Sequence, residues 1–553
     1  MAVVQRRIGA IFGLFFLLLV LAAGRTAYLG VLRGGTLRKA ASNQQLTNET
    51  VDAQRGAITD RNGIDLAVSE PARDISADPY LITDTLGTAR KLAPLLKQSQ
   101  DSLLSKLSEH TGFVYLIRGM PAIQAQAVLK LKIPGIDSTP VMRRVYPRGP
   151  LAAQVLGIVG TEGKGLAGLE YSHNALLAGH SGQRRVVSDA IGQPVSITEP
   201  HPVVAGESLK LTLDANIQQR TEDVLGAVAR VFSPKDATAI VMDPRSGAIL
   251  AVANWPQVNP NDPAGAPAGA LQDRAVGFDY EPGSTFKAVT VSGALQQGLI
   301  TPNTPFNIPD QIQVADRTIH DDTEHGEETL TTSQILARSS NVGAIKIGML
   351  EGSSSFNSWV HRFGFGARTG VDLSSEEAGV TLPLSHYSGS SMGNLPIGQG
   401  ELVTPMQMAS AYAAIANGGI LRPPHVIRAV DGRKQPLPRG HRIISAATAA
   451  ALRHMLEGVL APGGTASEVS IPGYQLAGKT GTASKIDPLT HEYSKSAYVA
   501  SFIGFAPAAD PKLLTAVVVD EPQSGSIFGG TVAAPAFGQI MSFALSYLGI
   551  APE

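Results

Sequence analysis

A serine hydroxyl becomes a useful nucleophile only beside a base, and Ser284-Thr285-Phe286-Lys287 sets a lysine three residues after a serine. Residues i and i+3 share one face of a helix, so this spacing predicts that Lys287 lies beside Ser284. Glu281-Pro282-Gly283 stands just before the serine and places it where a loop enters that helix. Lysine accepts a proton only when neutral, a form favoured by burial and by a second cation nearby. Lys479, in Lys479-Thr480-Gly481-Thr482, is a candidate for that cation, and Ser339-Ser340-Asn341 lies between the two segments in the chain. Each pattern alone is weak, a surface helix being the ordinary home of a serine–lysine pair. Their occurrence together, in this order, argues against coincidence.

The surrounding elements must bring these segments to one place. Residues 208–213 alternate as a strand, and Asp214 is a plausible N-cap for the helix after it. Residues 237–242 and 248–253 read as two apolar strands joined by Asp243-Pro244-Arg245-Ser246-Gly247, a hairpin signal. The pattern from about 284 to 350 is mostly helical. Strand-like runs return at 498–505 and 513–519, and an apolar helix covers roughly 533–548. Strands at both ends of a region with a helical middle predict one antiparallel sheet, its strands distant in sequence, with helices packed on it. A domain boundary is expected near Gly206. Residues 34–205 read as a mixed, β-rich module, in which Asn62-Gly63 marks a turn between Ile58 and Ile64.

The first 32 residues are apolar enough to leave water. Residues 8–24 carry no charge, and extension to Leu32 with Arg25 snorkelling gives a transmembrane anchor over 8–32, preceded by a short tail over 1–7. A signal peptide cleaved near Ala22-Ala23-Gly24 is the competing reading. Charge does not orient the anchor: Arg6 and Arg7 precede the uncharged run over 8–24, while Arg25, Arg33, Arg38 and Lys39 follow it. Lys+Arg total 45 and Asp+Glu 46, so no basic excess points to nucleic acid. There is no cysteine, which excludes disulfides and thiolate chemistry.

The three segments together resemble the penicillin-recognising serine transpeptidases and β-lactamases. Residues 55–63 are similar to the first motif of the N-terminal module in class B penicillin-binding proteins, and Tyr146-Pro147 and residues 157–170 to its later ones. Gly398-Gln399-Gly400 also fits this family, while Gly463-Gly464-Thr465-Ala466, residues 477–483 and residues 501–507 look most like its division-type subfamily. The resemblance implies a multidomain α+β chain: one N-terminal transmembrane helix, a pedestal or dimerisation module over 34–205, and a transpeptidase domain over 206–553 with an antiparallel sheet flanked by helices. It implies a D,D-transpeptidase of the cell membrane, catalytic domain outside, that cross-links peptidoglycan stem peptides in septal wall synthesis and is acylated by β-lactams. Ser284 would attack, Lys287 take its proton, Ser339 and Lys479 relay a proton to the departing D-alanine, and Asn341 orient Lys287. Thr480, Gly481 and Thr482 would bind substrate. Arg55, Asp60, Arg61 and Glu170 would be structural motifs of the module. No metal and no cofactor are implied. A SEDS-type membrane glycosyltransferase and division proteins would be partners, since no glycosyltransferase region is seen. An elongation-type transpeptidase, or a D,D-carboxypeptidase or β-lactamase-like hydrolase of the same fold, are the alternatives.

Two other patterns compete for the same residues or their neighbours. Gly473-Tyr474-Gln475-Leu476-Ala477-Gly478-Lys479-Thr480 matches a phosphate-binding loop letter for letter. That loop must follow a buried strand and open a helix, and neither Ser470-Ile471-Pro472 before it nor Gly481 after it suits. His320-Asp321-Asp322-Thr323-Glu324-His325 collects possible metal ligands just ahead of a helix start at 329–332, and is read as a solvated acidic loop.

Overall fold

The computed structural model describes residues 2–33, 35, 46–188, 194–487, 489–490 and 492–552. Arg38, Lys39 and the first residues of the expected 34–205 module lie outside the described residues. The chain divides into two compact units, Met1–Gln54 with Gly179–Gly206, and Arg55–Ala178 with Glu207–Glu553. The first contains an α-helix, Ala2–Ala27, continued by a π-turn over Tyr28–Leu32. Val3–Val31 is long and apolar enough to cross a bilayer, and none of its most apolar window is buried within the protein. A three-stranded antiparallel sheet of Leu46–Val51, Gly182–Ser188 and Pro194–His201 belongs to the same unit.

The second unit is built on a five-stranded antiparallel sheet. Its order is Ile249–Trp255, Asp236–Met242, Leu513–Asp520, Tyr493–Ala506, Ala477–Ile486. The 237–242 and 248–253 strands do form the expected hairpin, with Ala239 opposite Ala253. Leu513–Asp520 sits at the centre and is buried on both faces, which its sequence Leu-Leu-Thr-Ala-Val-Val-Val-Asp suits. One face packs against helices Ala215–Phe232 and Ala534–Tyr547, where the Phe502 and Phe537 rings lie 4.7 Å apart. The other packs against the helices that carry the chemistry and against Pro405–Ala416, every residue of which is buried. Asp214 caps Ala215–Phe232 by accepting from Asn216 and Ile217 N–H.

The region 284–350 is less helical than its sequence pattern suggests. Four short strands, Pro305–Ile308, Gln311–Val314, Arg317–His320 and Glu328–Thr331, pair as two small antiparallel ladders inside it. Each is four residues long, too short for a period of two to stand out.

A second sheet joins the module segments to the transpeptidase region. Ile58–Thr59 pairs with Asp65–Ala77 across the Asn62-Gly63 turn, in which Gly63 has φ +91°, and runs parallel to Leu209–Leu211. Leu209–Leu211 in turn pairs with Ile427–Val430. Asp60 holds this junction: Oδ1 accepts from the N–H groups of Asn62 and Ile64, and Oδ2 from Ala215 N–H at 3.1 Å. Arg61 contributes its backbone N–H to Leu213 O. Arg55 and Glu170, 115 residues apart, form a buried ion pair at 2.5 Å, and Arg144 completes it from the other carboxylate oxygen at 2.6 Å. Breaking such a pair from one side leaves an uncompensated buried charge, at a cost of roughly 3–5 kcal/mol.

Candidate active site

Ser284 lies in a 3-10 turn, Gly283–Phe286, that runs directly into the helix Lys287–Gln296. Side chains three apart eclipse in a 3-10 turn, so Ser284 and Lys287 fall on one face. Ser284 is half-buried, and its hydroxyl makes no hydrogen bond among the described residues. Tyr412, fully buried, ties the turn down by donating its hydroxyl to Thr285 O at 2.7 Å.

Lys287 is fully buried and points at the second motif. Its Nζ donates to Ser339 O at 2.5 Å, Asn341 Oδ1 at 2.7 Å and Ser339 Oγ at 3.2 Å. Burial pushes its ammonium down to about 8, against the opposing pull of Asp322 and Asp321. Ser339 ends the helix Thr332–Arg338 in the left-handed conformation, φ +63°, which is uncommon for any residue but glycine. That conformation lets the Ser339 carbonyl and hydroxyl both meet Lys287.

The third motif lies on the edge strand of the sheet, Ala477–Ile486. Lys479 and Thr480 are therefore strand residues, which removes the phosphate-loop reading. Lys479 is fully buried, and burial followed by the Lys287 charge drives its ammonium well below the ordinary lysine range. Its Nζ donates to Thr480 O and Oγ1 at 3.2 and 3.3 Å, and Thr480 Oγ1 meets Thr465 Oγ1 at 2.7 Å. Thr482 Oγ1 accepts from Gly529 N–H at 3.1 Å, which leaves its own proton free to donate outward. The strand and the Ser284 turn are in direct contact: a Cβ on Gly481 would collide with Ser501 Oγ and crowd Thr285 and Pro282, so only glycine permits this approach.

All eight residues expected to do the chemistry thus come from three segments of the chain that meet. Arg55, Asp60, Arg61 and Glu170 belong instead to the module junction. Residues that sequence reasoning missed complete the site. Thr465 supports Thr480, and Asp321, read as part of a solvated loop, is bonded to the second motif: its carboxylate accepts from the N–H groups of Asn341 and Val342 and from Ser340 Oγ. Nothing in the local sequence marks Asp321, because its partners lie about twenty residues on.

Two family models match the chain, the penicillin-binding protein transpeptidase domain over residues 237–542 and the penicillin-binding protein dimerisation domain over 50–211. The peptidoglycan D,D-transpeptidase FtsI of Escherichia coli K12 is 34% identical, over 99% of this chain and 92% of its own. The chain belongs to the class B penicillin-binding proteins. It shares 35% identity with PbpB of Mycobacterium tuberculosis, over 95% of this chain and 82% of that one. It also resembles the crystal structure of penicillin-binding protein 3 from the same organism complexed with aztreonam, with a TM-score of 0.72 and 30% identity over 91% and 98% of the two chains. As a class B penicillin-binding protein it is a peptidoglycan D,D-transpeptidase by family, and its single N-terminal apolar helix fits a single-pass anchor.

Behind the Ser284 turn this class B protein buries two carboxyl groups. Glu281 accepts from Gly400 N–H at 2.9 Å and Tyr493 O–H at 3.2 Å, fastening the 398–400 loop beside the serine. Glu401 has no hydrogen-bond partner at either oxygen among the described residues, and burial pushes its carboxyl up to about 8. A raised carboxyl means that the folded form holds its proton more tightly than the unfolded form does. Stability is therefore full below the unfolded value and declines as pH rises towards 8. Glu401→Gln, which cannot ionise, is expected to be more stable than wild type at pH 8.5 by on the order of 2 kcal/mol and about equal at pH 5. Thermal melts at the two pH values check it.

Proposed function

We propose that this chain cross-links peptidoglycan stem peptides through an acyl-enzyme on Ser284. The observation that carries the reading is Lys287: fully buried, depressed to about 8, one helical face from Ser284 and held by Ser339 and Asn341. A neutral Lys287 that keeps its bonds to Ser339 O and Asn341 Oδ1 retains a lone pair for the Ser284 proton. Ser284 Oγ then attacks the carbonyl between the two terminal D-alanines of a donor stem. The developing oxyanion meets the backbone N–H groups of Ser284 and Thr482. As the C–N bond breaks, the departing D-alanine nitrogen takes a proton relayed through Ser339 and Lys479. The Thr480 and Thr482 hydroxyls bind the terminal carboxylate. An amine from a neighbouring stem attacks the ester, and Ser284 recovers its proton. The Ala477–Ile486 strand, with one edge unpaired within the sheet, offers backbone groups along which an extended stem can lie.

The same acyl-enzyme explains inhibition by β-lactams, whose carbonyl and carboxylate imitate the D-Ala-D-Ala end. The wall precursors lie outside the membrane, so residues from 34 onward lie there and residues 1–7 inside. The role is septal, with a SEDS-type polymerase and division proteins as partners. Three results are expected. The penicilloyl ester should outlast many turnover times of a β-lactamase, a stem peptide should be joined to an added amine, and a tagged copy should concentrate at division sites. Rapid hydrolysis of penicillin by the purified protein would place it with the hydrolases. Lateral-wall location would favour the elongation role, and protease-resistant residues 34–553 in spheroplasts would reverse the topology.

A further inference from the structure

Ser339 holds its carbonyl towards Lys287 only by adopting a disfavoured left-handed backbone, and such a conformation persists when its surroundings over-determine it. The surroundings here come from the 320–325 loop. Asp321 Oδ1 accepts from the N–H groups of Asn341 and Val342, the first two of the helix Asn341–Glu351, and Oδ2 accepts from Ser340 Oγ at 2.7 Å. A carboxylate at a helix N-terminus is held by both hydrogen bonds and dipole. His325 fixes that carboxylate in turn, with Nε2 3.1 Å from Asp321 Oδ2 and Nδ1 2.6 Å from Gly326 O. Asp322 acts on the next residue. Asn341 can offer its oxygen to Lys287 only if its amide N–H₂ points the other way, and that group donates to His320 O at 3.0 Å and Asp322 Oδ1 at 3.2 Å.

We propose that Asp321 and Asp322 are positioning residues for acylation: Asp321 clamps the Ser339 turn, and Asp322 fixes the Asn341 amide and supplies a negative charge facing Lys287. The inference rests on the reading of Lys287 as the base. The charges facing Lys287 are Asp321 and Asp322 from this loop and Lys479 from the edge strand. Most charges on the other elements around it have partners elsewhere, and Arg453 has the Glu457 charge beside it. Lys346 donates to Asn307 O, Gln297 donates to Glu351, Arg362 lies over the Trp359 ring, Arg338 pairs with Glu328 and His454 with Glu457. Both aspartates favour the protonated lysine, so removing one lets Lys287 become neutral at lower pH.

The test measures acylation of the full-length protein by a fluorescent penicillin between pH 6 and 10, for wild type, Asp322→Ala, Asp321→Asn and Glu324→Gln. Asp322→Ala should move the acid limb to lower pH by roughly half a pH unit, because an exposed charge is partly screened. Its plateau should fall about fivefold as the Asn341 amide loses its orientation. Asp321→Asn, which keeps one acceptor of two, should lower the plateau about tenfold or more. Glu324→Gln removes a charge from the same loop at a side chain with no hydrogen bond to the site, and should match wild type. Asp322 is exposed, so its variant decides the matter if Asp321→Asn does not fold. Coincident limb and plateau in Asp322→Ala and wild type, or an equal shift in Glu324→Gln, would overturn the proposal. A wild type with no Ser284 adduct or no acid limb would instead remove the base assignment beneath it.

Discussion

Ser284→Ala should abolish covalent labelling by penicillin while leaving the fold intact. The side chain is half-buried, makes no hydrogen bond among the described residues and sits in a turn anchored by other groups, chiefly Tyr412 on Thr285 O and the Gly283 N–H on Gly398 O at 3.0 Å. Alanine removes one oxygen and no packing contact, so stability should change by less than about 1 kcal/mol. Acylation has no second route: among the described residues no other serine stands one helical step from a buried lysine of lowered affinity for its proton. Loss of a nucleophile from a serine–base unit costs on the order of 10⁴-fold or more, beyond the reach of gel fluorescence. Mass spectrometry of wild type should place the adduct on the peptide containing residues 281–287. An adduct elsewhere, or full labelling of the variant, would end the assignment of Ser284.

What the sequence revealed and what it hid follow from the range of the interactions. The Ser284–Lys287 relation is local, three residues along one helical face, and could be read directly. The central strands could be read because each is a long apolar run; Leu513–Asp520 is buried along its whole length. Asp214 as an N-cap and Gly63 in its turn are likewise decided within a few residues. Convergence of the three motifs is not local, and it lies in the folded chain, where Lys287 is bonded to Ser339 and Asn341. The hidden parts are side chains whose partners lie far along the chain. Arg55 meets Glu170 across 115 residues, and Asp321 caps a helix that starts twenty residues later. A run of histidines and acids reads as a solvated loop because its composition is all that a sequence shows. The four short strands between 305 and 331 escaped for a different reason: a strand of four residues carries too few alternations to outvote helical neighbours.

The second large effect separates charge from basicity at the same position. Lys287→Arg preserves a cation that can donate to Ser339 O and Asn341 Oδ1, yet a guanidinium is effectively always protonated and cannot accept the Ser284 proton. Acylation should fall by at least about 10³-fold at every pH between 6 and 10. Wild type should behave differently across the same range. With Lys287 pushed down to about 8 by burial, the reactive neutral amine grows tenfold per pH unit below that value and levels off above it. The expected profile is therefore an acid limb with its midpoint near 8, present in wild type and absent in the arginine variant. Lys479→Arg is the informative partner. Lys479 is needed for its charge and its place in the proton relay rather than as the base, so this variant should lose less rate and keep an acid limb. Its midpoint should stay close to that of wild type, since the charge beside Lys287 is retained. Equal acylation rates in wild type and Lys287→Arg would show that another group takes the proton, and would move the search for a base to Ser339 and Lys479.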